Sequence, residues 1–478
     1  MEVAQAAVSA AAVLEAEVED QHRTPSPDLE DGEITVDATV SQPDYSYHLP
    51  WPQFRFDLPP RRVYHFYNQF RSGAKSSPPG NSFLKGAKWS PDGSCFLTSA
   101  DDDTLRLFYL PSDVASGSVV PDAQVDGEDS FASSLTVSEG ESVYDFCWYP
   151  YMSVSGGYLS SGVQICSFRW ILMPEMCCDD KFSVDVVSDP TTCVFATTTR
   201  DHPIHLWDAS SGHLRGTYRA YDAVDEITAA LSVAFNASGT KLFAGYNKCL
   251  RVFDVHRPGR DFEHHPTLKG DDGISGIISS IAFSPTHNGL LAVGSYCQAT
   301  AIFTEDNMEL LFVLHGQQGG VTQVQFSKDG NFLYTGGRKD PYILCWDVRN
   351  TAGVLYKLYR SSESTNQRIS FDIEPCGRHL GTGGQDGLVH LYDLQTGQWV
   401  SGFQAAHDTI NGFSFHPSLC LAVTSSGNRR FSMPESFEGN FELKGDENCV
   451  SVWQFSSASA VESTTVVNDE ELEQLKDM

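Results

Sequence analysis

Arginine, tyrosine, asparagine and glutamine recur together in the turn segments of this 478-residue chain. Arg200 and His202 stand in one turn, Lys248 in a second, and Arg338-Lys339 in a third. Longer connections hold Arg219 with Tyr221, Arg257 with Arg260, Arg360, and the run Asn366-Gln367-Arg368. A guanidinium binds phosphate, an aromatic face stacks on a base, and an amide reads a base edge. This set therefore suits unstacked RNA. The same residue types dominate protein–protein hot spots, so patterning alone leaves a protein partner open.

Nothing in the chain points to catalysis. There is no GxSxG, no phosphate-cradling glycine loop and no HExxH. No catalytic residue, metal ligand or cofactor is expected. His264-His265 reads as a solvated pair in a polar loop, and Asp101-Asp102-Asp103 as a turn. The 12 cysteines include no CxxC pair, which is the usage of a reducing compartment. No run of about 18 apolar residues is present, so no membrane span is expected.

Strands must hold these turns. Between Gly320 and Arg349, Val321 to Phe326, Phe332 to Thr335, and Tyr342 to Trp346 alternate apolar and polar residues and are separated by Gly/Asp turns. Period-two patterning predicts short antiparallel strands. The unit recurs. A bulky residue closes each first strand: Trp89, Trp148, Phe235, Phe283, Phe326, Ile373 and Phe415. An aromatic ends each third strand: Phe108, Trp207, Phe253, Phe303, Trp346, Tyr392 and Trp453. Asp102, Asp201, Asp340 and Asp386 each lie six residues before that aromatic and are expected to reach back to groups in the same unit.

This pattern resembles the WD repeat, whose unit is one four-stranded propeller blade. The expected fold is all-β, a seven-bladed WD-repeat β-propeller over residues 61–456. Its closing strand is Arg62 to Tyr67, beside Val450 to Phe455. His315-Gly316 stands for the repeat's GH element. The turns between second and third strands, and the connections between blades, share one face. All the basic residues above are assigned to that rim.

The chain carries −30 in all. Residues 1–60 hold twelve acids and two bases and read as a disordered acidic extension. Within it, Thr24-Pro25 and Ser26-Pro27 fit proline-directed phosphorylation, and Trp51, Phe54 and Phe56 could dock on the propeller. Residues 457–478 form a short acidic tail. Ser112 to Glu141 reads as an acidic connection, and Asn428 to Glu447 as an excursion in the last blade. Trp148 to Phe235 is 87 residues, about 40 more than one repeat. The atypical insert, about 156–187, is either a packed insertion or the translation of an unspliced intron.

Several strings resemble the telomerase Cajal body protein family. They include FLKGAKWSPDGSCFLT from Phe83, RDHPIHLWDA from Arg200, RAYDAVDEITAA from Arg219, RPGRD from Arg257, GGRKDPYILCWDVR from Gly336 and TNQRISFD from Thr365. RPGRD, RKD and TNQRI are loop strings the fold does not demand. The resemblance implies a non-enzymatic scaffold of the nucleus. It would recognise a loop motif of box H/ACA small Cajal body RNAs and, in animals, of telomerase RNA, and direct the ribonucleoprotein to Cajal bodies. Its partners would be those RNAs and their ribonucleoprotein proteins, with no membrane and no DNA. A different class is also represented. Trp346-Asp347-Val348-Arg349 resembles the WDxR box by which some propellers dock on a cullin-ligase adaptor, as ubiquitin-ligase substrate receptors. A generic protein-assembly platform is the third reading.

Overall fold

The structure is a computed structural model that describes residues 51–70, 82–110, 132–152, 193–287, 289–430 and 445–457. Among the described residues, seven four-stranded antiparallel sheets form the seven blades. Their first strands are Leu84–Trp89, Val143–Trp148, Ser232–Phe235, Ile278–Phe283, Val321–Phe326, Phe371–Ile373 and Ile410–Phe415. Every one ends on the bulky residue that set the repeat. The third strands, such as Ile204–Asp208 and Tyr342–Asp347, carry their aromatic next to last.

The first strands surround one axis, and each bonds to the next blade. Lys85 Nζ donates to the Val143 carbonyl at 3.3 Å, and the Val233 N–H to Asp145 at 3.2 Å. Ser232 donates to Ile278 O at 3.1 Å, Ser279 to Val321 O at 2.5 Å, and Gln323 to Phe371 O at 2.7 Å. The Phe413 N–H reaches Ser370 at 2.8 Å, and Asn411 returns to Leu84 O at 2.7 Å. A lone sheet would leave two apolar faces in water. Here each is buried against a neighbour, at about 25 cal/mol per Å².

The ring closes with a strand from the other end of the sequence. Arg61–Phe66 pairs antiparallel with Val450–Gln454, placing Arg62 opposite Trp453 and Phe66 opposite Val450. Phe66 then stacks on Phe108, which stacks on Phe96, both at 5.1 Å. The expected closing strand is thus found. The packed chain extends further back: Phe54–Arg55 pairs with Ser456–Ser457, and Phe56 is buried against His379, Phe415 and Phe455. Trp51 stays about half exposed.

Two segments depart from expectation. Leu135–Ser138, inside the supposed acidic connection, is the outer strand of blade one. His264 and His265 lie on the outer strand of blade three, Glu263–Pro266, not in a loop. Blade two resumes at Val194–Thr199, with Trp148 opposite Phe195. The atypical insert about 156–187, residues 431–444, and the ends of the chain lie outside the described residues.

Candidate nucleic-acid interface

The turn carrying Arg338 and Lys339 joins the second and third strands of blade five, Phe332–Gly337 and Tyr342–Asp347. A buried network sets it. Trp346 Nε1 donates to Thr335 at 3.1 Å, and Thr335 to Gln317 at 2.9 Å. Gln317 donates to Asp340 at 2.7 Å, and Asp340 also accepts the N–H groups of Gln318 and Gly319 at 2.6 and 3.3 Å. Asp340 therefore does reach back, as expected. Its receiver is Gln317, while His315 is exposed. Gly319 is required: a Cβ there would lie 1.8 Å from the Arg338 carbonyl oxygen.

The other three aspartates do not reach back. Asp102 holds Thr104 and Arg106 locally, Asp386 caps Leu388, and Asp201 is exposed beside Arg200. In blade two the receiver of the Trp207 network is Glu139. It accepts from His205 at 2.8 Å, from Trp207 at 2.8 Å, and from Thr197. Its carboxyl is almost fully buried and is held below the ordinary range; burial opposes this, but His205, Thr197 and Trp207 outweigh it.

Arg368 occupies the axis. From the connection before blade six, its guanidinium donates to the carbonyls of Tyr144, Leu231 and Ser279 at 3.2, 3.3 and 3.2 Å. It also holds the Tyr296 hydroxyl at 2.9 Å. One side chain thus ties blade six to blades two, three and four. Burial opposes the charge, yet the Tyr296 phenol and Asp145 outweigh it, and the Arg368 pKa lies above its ordinary value.

Arg338 stacks on the Tyr296 ring at 3.9 Å. Its Nε is buried and donates to nothing, a deficit of about 1–3 kcal/mol. Burial, with Arg368 alongside, pulls its pKa down. No hydrogen bond or ion pair of Arg338 or Arg368 to a carboxylate occurs among the described residues. Tyr144 is also partly buried at this mouth, its phenol pushed up by burial. Sequence reading missed Tyr296 and Tyr144. The signal for Tyr296 was its place at the turn before Cys297, equivalent to the Arg338 turn.

The remaining expected residues divide. Arg200, Arg219, Lys248, Lys339 and Asn366 are exposed on this face. Lys248 and Lys339 hold left-handed backbones, φ 59° and 52°. His202 Nδ1 lies 2.7 Å from the Arg200 carbonyl. Gln367 is structural: it donates to Asn411 at 2.6 Å and accepts the Arg429 N–H at 2.9 Å. Arg360 is buried inside blade five, bonded to Ile369 O and Gly337 O, with burial pulling its pKa down to about 10. Its assignment to the rim is corrected.

Arg257 and Arg260 need a second correction. They join the third and fourth strands of blade three, Cys249–Asp254 and Glu263–Pro266, and so start at the opposite end of the blade. Arg257 stays there, 3.7 Å from Asp254. The chain then climbs beside blade two, where Gly259 O accepts the Arg219 N–H at 2.7 Å. Arg260 therefore reaches the rim, stacked on Tyr221 at 4.6 Å and paired with Asp225 at 3.2 Å.

The WDxR residues lie at the other end of blade five. Trp346 is buried, and Arg349 is exposed, with two 3.0 Å bonds to Asp347.

A family model described as WD domain, G-beta repeat matches residues 76–108 and 308–347. Telomerase Cajal body protein 1 of Mus musculus is 36% identical over 434 residues, covering 87% of this chain and 72% of that protein. The Homo sapiens protein of the same name is 38% identical over 357 residues, 72% of this chain and 57% of that protein. The Drosophila melanogaster homolog is 34% identical over 351 residues, 72% and 57%. The chain spans 59% of the length of the Mesocricetus auratus relative. With this propeller and this extent of identity, the chain belongs to the telomerase Cajal body protein family of WD-repeat proteins.

Proposed function

We propose that this chain is a non-enzymatic RNA-binding scaffold. It holds a loop motif of box H/ACA small Cajal body RNAs, and of telomerase RNA where that RNA carries the motif, on the Arg338 face. It directs the ribonucleoprotein to Cajal bodies in the nucleus. The acidic stretches before Trp51 and after Ser457 act as spacers or protein-binding tails, since Phe54 to Phe56 and Ser456–Ser457 pack into the propeller. The relatives' names, which pair telomerase with the Cajal body, support this reading.

The observation that carries it is the Arg338–Arg368 pair. Two guanidiniums share the axial mouth, neither bonded to a carboxylate among the described residues, in a chain of net charge −30. Like charges held together in a partly buried place call for an anionic, stackable ligand. Ultraviolet crosslinking of tagged protein in cells, followed by sequencing of bound RNA, tests this. Enrichment of small guide RNAs sharing a hairpin-loop motif is expected. No RNA above background, with or without residues 156–187, overturns it.

A further inference from the structure

We infer that one unstacked base of the bound RNA enters the axial mouth and stacks on the face of the Arg338 guanidinium turned away from Tyr296. The inference rests on the RNA reading above and specifies what part of the ligand this site takes.

The support is a layered one. Arg368 is fixed by carbonyls from three blades, and it fixes the Tyr296 hydroxyl at 2.9 Å from Nη2 and 3.3 Å from Nε. Tyr296 in turn backs Arg338 at 3.9 Å. The guanidinium is therefore held as a plane by a rigid floor rather than left to swing. Its Nε is buried. That closes the side-on fork, Nε with Nη, by which arginine grips a phosphate. Arg338 as a whole is only partly buried, and a delocalised cationic plane on an aromatic ring is a platform for a nucleobase.

The neighbours fit a nucleotide rather than a bare base. Lys339 follows Arg338 in the same turn and is exposed, its N–H bonded to Thr365 O at 3.2 Å. Asn366, exposed on that adjoining connection, supplies an amide beside it. Ammonium for phosphate, plane for base and amide for base edge thus meet at one place.

The test uses the full chain and a pool of RNA stem-loops with random eight-nucleotide loops. The tightest binder is remade with each loop nucleotide abasic in turn, which keeps every phosphate. One position is expected to lose about 10- to 100-fold in affinity, the worth of one stacked base. In Arg338→Ala that penalty should vanish. In Arg338→Lys, which keeps the charge but has no plane, it should vanish too, while the salt dependence stays near wild type. Binding with no position-specific penalty overturns the inference and leaves the RNA reading standing. So does a penalty unchanged in both variants. Failure of the wild type to bind any stem-loop at about 150 mM salt overturns the RNA reading itself, and this inference with it.

Discussion

Lys339 and Lys248 spend backbone strain on the rim. A left-handed conformation costs an L-residue about 1–2 kcal/mol, and a glycine would avoid it. Blade six places Gly387, φ 77°, in the equivalent turn. Lys339→Gly should therefore leave the unfolding midpoint unchanged or raised, yet weaken RNA binding, as read by parallel denaturation and filter-binding curves. Arg338→Glu with Lys339→Glu should weaken RNA recovery far more and leave the circular dichroism of the propeller intact; unchanged recovery at physiological salt would remove these residues from the interface. Arg368 behaves differently because it serves the ring as well. Arg368→Ala strands three carbonyls and a phenol, and a loss of about 3 kcal/mol in urea unfolding is expected. Its effect on RNA cannot be separated from stability, which is why Arg338 is the informative position.

At the scale of the element, the seam between blades seven and one depends on a neutral histidine. His416 is buried in the turn after Ile410–Phe415. Its Nε2 donates to the Gly93 carbonyl at 2.9 Å, and its Nδ1 accepts the N–H groups of Ser418 and Leu419 at 3.0 Å. Both nitrogens are used, so a second proton has no place. Burial pulls its pKa down to about 4. The unfolded chain, with the ordinary value near 6.5, binds that proton first. Stability is thus full above about pH 6.5 and is lost as pH falls from there through about 4, by about 3 kcal/mol if no other group intervened. Urea midpoints between pH 7 and 4 should show this slope, and His416→Asn should flatten it. An unchanged slope in the variant would assign the acid limb to carboxylates instead.

At the scale of the molecule, closure is a long-range pairing. Arg61–Phe66 meets Val450–Gln454 across nearly the whole sequence. Removing residues 1–67 should expose the edge of blade seven and leave Phe108 without its Phe66 partner. A broadened thermal transition and aggregation are expected, measured by light scattering during heating. A cooperative, soluble truncation would show that the ring holds without its outer strand. The net charge of −30 acts at this scale too. RNA affinity should fall with salt, each phosphate contact contributing about 0.7 to the log–log slope for single strands.

The sequence by itself determined the blades. Alternation of apolar residues fixed each strand, and the seven first-strand and seven third-strand anchors fell where they were placed, because burial between blades demands them locally. The family was legible in RPGRD, RKD and TNQRI. The closing strand was legible because Val450 to Phe455 has little sequence after it to form an outer strand, and Arg62 to Tyr67 precedes the first complete unit. The tertiary structure alone decided which polar side chains face the solvent. Arg360 and Arg368 look like Arg200 in the sequence, yet one lies inside a blade and one plugs the axis. Arg257 and Arg260 share a connection that climbs a neighbouring blade, and only one reaches the rim. Glu139, which takes in blade two the place that Gln317 takes in blade five, came from a stretch that read as linker. A guanidinium or carboxylate carries no period that distinguishes water from a ring of backbone carbonyls. Its place depends on which other blades arrive beside it, and that is settled only when the ring closes.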